Sequence, residues 1–371
     1  MDNTILSSVY IMGGLRTPIG SYKGQFKHIR PEHLGAQVLN ALHETYGAVD
    51  EIICGNAVGT GGNIGRLTAL YSTYGTSVPA YTVDMQCASA GAAIIQGYRA
   101  IRSGMVNTVL AGGVESSSLQ PKRIYAGDDD RQGEYMVAQF SPNENDALAM
   151  LQGAERTAQK YKVTKAELDY WSLRSHRLAT KAREEGILQP YILAMGEQYV
   201  DESIKPRLQQ KLLDRMKPIL GEGTLTTAGN ACYTHDGAAF VVLTNTPGPF
   251  RIIGALQYGG DPLYSPEGAL QATERLLKQT GLTMADMTAI EWNEAFAVID
   301  VLFGRTYGEY EGQYNQLGGA LAYGHPFGCS GAIILLHTMA ALTQRQGRYG
   351  ICAIAGAGGM GTALLIERVT Y

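Results

Sequence analysis

The stretch YTVDMQCASAGAAIIQGYRAIRSGMVNTVLAGGV, residues 81–114, decides the fold. It opens on a strand-like run and passes through Cys87 into small residues. It continues as a helix with an apolar face of Ile94, Ile95, Tyr98 and Ile101, stops at Gly104, and ends in the apolar run 106–114. Strand, helix, strand is a βαβ unit, and apolar runs of this kind are what strands buried on both faces of a sheet look like. Upstream, SVYIMGG (8–14), a helix near 31–46 and EIICGNAV (51–58) repeat the alternation. Downstream it resumes with AAFVVLTN (238–245), RIIGALQYGG (251–260), MTAIEWNEAF (287–296), GAIILLHTMAALTQ (331–344) and YGICAIAGA (349–357). The pattern predicts an α/β protein of two similar halves on a mostly parallel sheet. Within the first half, residues 119–229 are rich in charge, Tyr and Gln. Exposed-looking helices such as KAELDYWSLRSHRLATKAREEG (165–186) predict an insertion over the sheet. The expected units are 1–118 with 230–248, the inserted 119–229, and 249–371.

Composition narrows the function. With 371 residues, 45% of them hydrophobic, the chain buries a large core. A net charge of -4 offers no polybasic tract, so neither nucleic acid nor a membrane is expected as a partner. The first residues lack a signal-peptide pattern and no apolar run reaches about 20 residues, which places the protein in the cytoplasm. Five scattered cysteines without a CxxC pair argue against a disulfide framework and a zinc cluster, so no metal is expected.

Three places invite chemistry. Cys87 sits where a strand turns into a helix, and the positive end of that helix would lower its pKa and favour the thiolate. A buried structural thiol is the alternative. His325 lies in the glycine-rich GGALAYGHPFGCSGA (318–332), either as a satisfied core residue or as the base that activates a thiol. In EWNEAFAV (291–298), Asn293 and Glu294 close a strand pattern, and an Asx turn with a helix cap explains them equally well. The run GICAIAGAGGMGTALLIE (350–367) has no GxxxxGK[ST] pattern and is followed by a strand, so it is not a phosphate loop. Its glycines fit a tight strand-turn-strand whose N–H groups face a site, as an oxyanion hole requires.

In order along the chain, DMQCASAG (84–91), NEAF (293–296), GGALAYGHPFGCSGA and AGAGGMG (355–361) closely resemble the thiolase family, enzymes that make or cleave 3-oxoacyl-CoA. RTPIGSYKG (16–24), AGGVES (111–116), MLQGAE (150–155) and GTLTTAGNACYTHDGAA (223–239) extend the resemblance over nearly the whole chain. It implies a five-layered αβαβα fold, a loop domain that binds coenzyme A, and a homodimer or homotetramer. No cofactor is implied, because the CoA thioesters are substrates. By the same resemblance Cys87 is the nucleophile that accepts the acyl group, His325 activates it, and Asn293 holds a water in a second oxyanion hole. The Cys87 and Ala357 N–H groups form the first hole, and Met150, Lys217 and Cys232 contact coenzyme A.

The departures matter more. The usual CGSG is CASA, and Ala149 stands where many acetyl-specific members carry a histidine. The family's C-terminal run carries a second catalytic cysteine, a proton shuttle to the α-carbon, and its position here is Ala355. Cys352 lies three residues upstream, on the opposite strand face and about 10 Å away. Cys329 falls at a position that is commonly a small core residue in the family. The expected function is therefore acyl transfer from short-chain acyl-CoA through an acyl-Cys87 intermediate, with weak or differently catalysed Claisen chemistry. Transfer to another acceptor or water, or a non-catalytic CoA-binding subunit, are the alternatives.

Overall fold

The computed structural model describes residues 7–142, 146–196 and 199–369. The chain begins β1 (Tyr10–Arg16), β2 (Gly20–Ser21), α1 (Pro31–Tyr46), β3 (Glu51–Gly55), α2 (Ile64–Leu70), β4 (Ala80–Val83), α3 (Ser89–Arg102) and β5 (Thr108–Ser116). A largely helical stretch follows: β6 (Arg123–Ile124), β7 (Glu134–Tyr135), α4 (Ala149–Lys160), α5 (Lys165–Glu184) and α6 (Gln210–Leu213). Then come β8 (His235–Thr244), β9 (Phe250–Gly259), α7 (Gly268–Thr280), β10 (Met287–Trp292), α8 (Ala297–Tyr307), α9 (Ala320–Tyr323), α10 (Phe327–Arg345), β11 (Tyr349–Gly356) and β12 (Met360–Arg368).

The strands lie in the order β10-β11-β12-β9-β1-β8-β5-β3-β4, with β2 against β8. Only Tyr10↔Arg251 and Ile11↔Phe250 join β1 to β9, so the sheet falls into two parts. Helices α3 and α10 pack on each other and against strands of both parts, forming a central helical layer. Helix α1 covers the outer face of the first part and α7 that of the second, which completes five layers.

The expectation of a mostly parallel sheet is wrong. Only β3–β4, β3–β5 and β10–β11 pair in parallel. The other pairs, including β5–β8, β1–β8, β9–β12 and β11–β12, are antiparallel. A strand covered on both faces is apolar throughout whichever way its neighbour runs, so the pattern carries burial but not direction. The hairpin joining β11 to β12 dictates an antiparallel pair.

Helix α10 shows the same burial rule. It is buried without a break from Gly328 to Leu342, and it is apolar all round because layers cover it on both sides. Its length and composition would suit a membrane span, but here it is the core helix. Helix α5 corrects another expectation. Its Thr164/Glu167 capping box starts a helix whose Leu168, Trp171, Ser175, Ala179 and Ala182 are buried, so only part of it faces solvent.

Candidate active site

Cys87 stands on a tight corner between β4 and α3. Gln86 takes φ 53, a left-handed conformation that side chains usually avoid. Two partners hold it there: Asp84 Oδ1 accepts the Gln86 N–H at 2.8 Å, and Ser89 Oγ donates to the Gln86 carbonyl at 2.6 Å. Ser89 Oγ also accepts the Met85 N–H at 2.8 Å, so one hydroxyl fastens both sides of the turn. The corner puts the thiol two residues before the first turn of α3.

His325 has the matching place, two residues before α10 begins at Phe327. The two helices meet where a Cβ on Gly331 would lie 2.4 Å from the Gly91 N. The glycine at 331 allows that approach, and it draws together helices whose starts are separated by more than 200 residues of chain.

Ser330, on the first turn of α10, fixes the histidine's chemistry. Its Oγ lies 2.6 Å from His325 Nδ1 and donates to the Pro326 carbonyl at 3.0 Å. With the hydroxyl proton on the carbonyl, Ser330 accepts from Nδ1–H, and the Nε2 lone pair is left as the base. Nε2 faces Asn293 Nδ2 at 3.4 Å. Behind His325, its backbone N–H meets His235 Nδ1 at 3.1 Å.

Asn293 is held from several sides. Its N–H donates to the Ala353 carbonyl at 3.0 Å. Glu294 is fully buried and is no helix cap: it accepts from Ser175 Oγ at 2.5 Å, Asn315 Nδ2 at 2.9 Å and the Leu321 N–H at 3.2 Å. Asn315 in turn brackets Trp292, accepting its N–H at 2.9 Å and donating to its carbonyl at 3.0 Å. Glu115, from β5, accepts from Asn56 Nδ2 at 2.9 Å, the Ala57 N–H at 3.0 Å and the Gly328 N–H at 2.9 Å. It thereby ties the start of α10 to the first half of the sheet.

The glycine run forms the expected strand-turn-strand. β11 and β12 pair up to Gly356↔Met360, and Gly358 (φ 86) and Gly359 (φ 74) make the reversal. The turn brings the Ala357 N–H near enough to the Cys87 thiol to pull its pKa down. Ala355 packs with the α7 side of the sheet, among Ala353 and Ile351. Cys352 packs on the opposite side with the central helices. Cys329 is sealed at the foot of α10, with its thiol on the Pro326 carbonyl at 3.4 Å.

The expected low thiol pKa does not hold. Burial pushes the Cys87 thiol up to about 12, against the pull of the Ala357 N–H and its own N–H and with a further push from Glu115. Burial, helped by His235, drives His325 down to about 3. The helix-end effect is real but small beside desolvation, so the resting pair is a thiol beside a neutral imidazole. The proton must move as the sulfur attacks, with Nε2 receiving it and N–H groups waiting for the oxyanion.

Of the expected CoA contacts, Cys232 lies beside the site. Its N–H donates to the Ala295 carbonyl at 3.0 Å, and Ala231 and Thr234 bridge Phe296 and His325. Met150 lies in the first turn of α4, half-buried against the same core as Ala355. Lys217 is exposed after α6, next to Pro218, which bridges Thr227. Sequence reasoning passed over Ser330, Ser89 and His235. Ser330 had one signal, its place five residues after His325 and one turn into the following helix.

Residues 9–246 match the family model of the thiolase N-terminal domain and residues 250–368 that of the thiolase C-terminal domain. The chain is 35% identical to a Staphylococcus epidermidis protein that carries a provisional acetyl-CoA C-acetyltransferase name, over 96% of this chain and 98% of that one. It is 32% identical to a β-ketoadipyl-CoA thiolase of Pseudomonas knackmussii, over 97% and 99%. In structure it is similar to the Bacillus anthracis acetyl-CoA acetyltransferase (TM-score 0.92, 28% identity, covering 99% of this chain and 100% of that one). It is also similar to human mitochondrial 3-ketoacyl-CoA thiolase (TM-score 0.89, 27% identity, 99% and 100%).

Proposed function

The chain belongs to the thiolase family of acyl-CoA acyltransferases, and from that premise we propose that it forms an acyl-Cys87 intermediate from a short-chain acyl-CoA. One observation carries this reading: a thiol on a strained corner, under the pull of the Ala357 N–H, precedes a helix packed at Gly91 against the helix that follows His325, whose Nδ1 is engaged by Ser330 so that Nε2 is the basic nitrogen. The first half-reaction then has its nucleophile, base and oxyanion donors. In the second, an α-proton must leave a second acyl-CoA, or a carbanion must be protonated in thiolysis. Ala355 has no proton to exchange, so condensation depends on a carrier other than residue 355.

Coenzyme A would lie across the start of α4 with Met150 and the loops carrying Lys217 and Cys232, within the inserted segment 119–229 and the loop leading into β8. A homodimer would cover the edge strand β4, where Tyr81 of that strand and Leu67, Leu70 and Tyr71 of neighbouring α2 and its end are exposed.

Intact-mass measurement after incubation with acetyl-CoA tests the central step. One acetyl group per chain, mapped to Cys87, is expected. Its absence, in a folded protein with an accessible thiol, would refute the acyl-enzyme reading.

A further inference from the structure

The site lacks a proton carrier at residue 355, and the other thiols are poorly placed to supply one. Cys54 is buried in the first half with its sulfur toward the Gly55 carbonyl, Cys329 is sealed under α10, and Cys352 faces the central helices. The nearby carboxylates are engaged: Glu115 by backbone and amide N–H groups, Asp84 by Gln86. Cys232 differs from all of these. It is half-buried, whereas the other four cysteines are buried. Its chain segment is laced into the site at three successive points: Ala231 to Phe296, the Cys232 N–H to the Ala295 carbonyl, and Thr234 to His325. The half-buried Cys232 side chain packs against the core that also holds Ala355 and Phe296.

We propose that the Cys232 thiol is the second proton carrier of this enzyme, replacing the group that Ala355 cannot supply. This rests on the acyl-Cys87 reading. Its electrostatic surroundings agree with the placement: burial first, then the neighbouring Cys87, raises the Cys232 thiol well above its ordinary value. Cys232 therefore starts the cycle protonated, as an acid.

The protons then balance over the cycle. As Cys87 sulfur attacks the first thioester, its proton passes to His325 Nε2, and the bond to the CoA sulfur breaks with its electron pair on that sulfur. Cys232 gives its proton to the leaving sulfur, releasing CoA as the free thiol and leaving a Cys232 thiolate. When the second acyl-CoA binds, that thiolate takes an α-proton: an S–H bond forms, a C–H bond breaks, and the electron pair moves toward the thioester oxygen. The carbanion attacks the acyl-Cys87 carbonyl, a C–C bond forms, the bond to Cys87 breaks, and Cys87 recovers its proton from His325. Thiolysis runs the same steps backward.

The test is deuterium uptake into the methyl group of acetyl-CoA in heavy water, read by mass spectrometry for the wild type, Cys232→Ser and Cys232→Ala. Acetylation of Cys87 is measured in parallel. Serine keeps the size and hydrogen bonding of a CoA contact but is too weak an acid to hold the role. Both variants should lose exchange by about 100-fold or more; acetylation of Cys87 should slow too, because the leaving CoA sulfur has lost its acid, but the acetyl mass should still accumulate on long incubation. Exchange in either variant within threefold of wild type overturns the proposal. So does a wild type that acetylates Cys87 without exchanging the methyl group. Failure to acetylate Cys87 at all overturns the acyl-enzyme reading and this one with it, a result distinct from the other two.

Discussion

Replacing Ser330 with Ala removes the one side chain that meets His325 Nδ1, at 2.6 Å. In the resting enzyme the lost interaction is neutral and contributes about 1 kcal/mol, whereas a hydrogen bond to a charged group contributes about 1.5–3 kcal/mol. His325 becomes charged only as it takes the Cys87 proton. The transition state for acylation therefore loses roughly 0.5–2 kcal/mol more than the ground state, and the acylation rate should fall about 2- to 30-fold. The tautomer preference is lost at the same time, since nothing then holds the proton on Nδ1, and this pushes the effect toward the upper end. Ser330 is 2% exposed, and its hydroxyl leaves only a small gap, so the fold should survive. The assay is rapid-quench mass spectrometry of acetyl-Cys87 at saturating acetyl-CoA, with thermal unfolding run alongside. A rate within twofold of wild type would refute the argument that Ser330 fixes the base, as would a loss confined to acetyl-CoA affinity.

The remaining predictions follow from burial and packing. With its thiol pushed up to about 12 and His325 down to about 3, Cys87 of the free enzyme should react with iodoacetamide at a rate rising about tenfold per pH unit from 6 to 9; a plateau near neutrality would indicate a preformed ion pair. Burial raises the Glu115 carboxyl from 4.5 to about 7, so the fold favours its neutral form, and this group's contribution to stability is full below about pH 4.5 and falls by roughly 3 kcal/mol as pH rises through 7. Glu115→Gln should flatten that part of the dependence, seen as a smaller change in urea midpoint between pH 5 and 7.5 than in wild type; equal changes would contradict the assignment. Gly331→Ala sets a Cβ 2.4 Å from the Gly91 N, which should cost about 1–3 kcal/mol and slow acylation by moving Cys87 from His325; unfolding and acylation measurements that both match wild type would refute this. If β4 is the edge of the proposed dimer, the wild type is a dimer by light scattering and Tyr81→Asp on that strand a monomer; a variant that stays dimeric, or a wild type that is monomeric, would refute the proposed interface.

What was legible in the sequence was local. The turn from strand to helix at Cys87, the hairpin at Gly358 and the end of β10 at Asn293 each depend on neighbours along the chain, where periodicity and turn chemistry act. Strand direction was not legible, because β5 and β8 are equally apolar whether parallel or antiparallel. The meeting of Cys87 and His325 was not legible either: Gly91 and Gly331 carry no mark that they face each other. The thiol's pKa failed for the same reason. A helix end is visible in sequence, but the depth of burial that outweighs it depends on layers contributed by distant strands.

The same limit explains Cys232. The resemblance makes Cys232 a coenzyme A contact, and only the bridges of Ala231 to Phe296 and Thr234 to His325 tie its loop to the segments that carry Asn293 and His325. A site can lose a proton carrier from one strand and keep its chemistry when another element already passes the reacting atoms. In that arrangement Ala355 costs little, because its methyl group sits on a packed face with Ala353 and Ile351 and leaves the position sealed from water. A sealed Ala355 removes a competing thiol from the same pool of protons, so the deuterium label from heavy water should enter the methyl group only through the partly exposed Cys232. The Cys232→Ser exchange rate measures that single route.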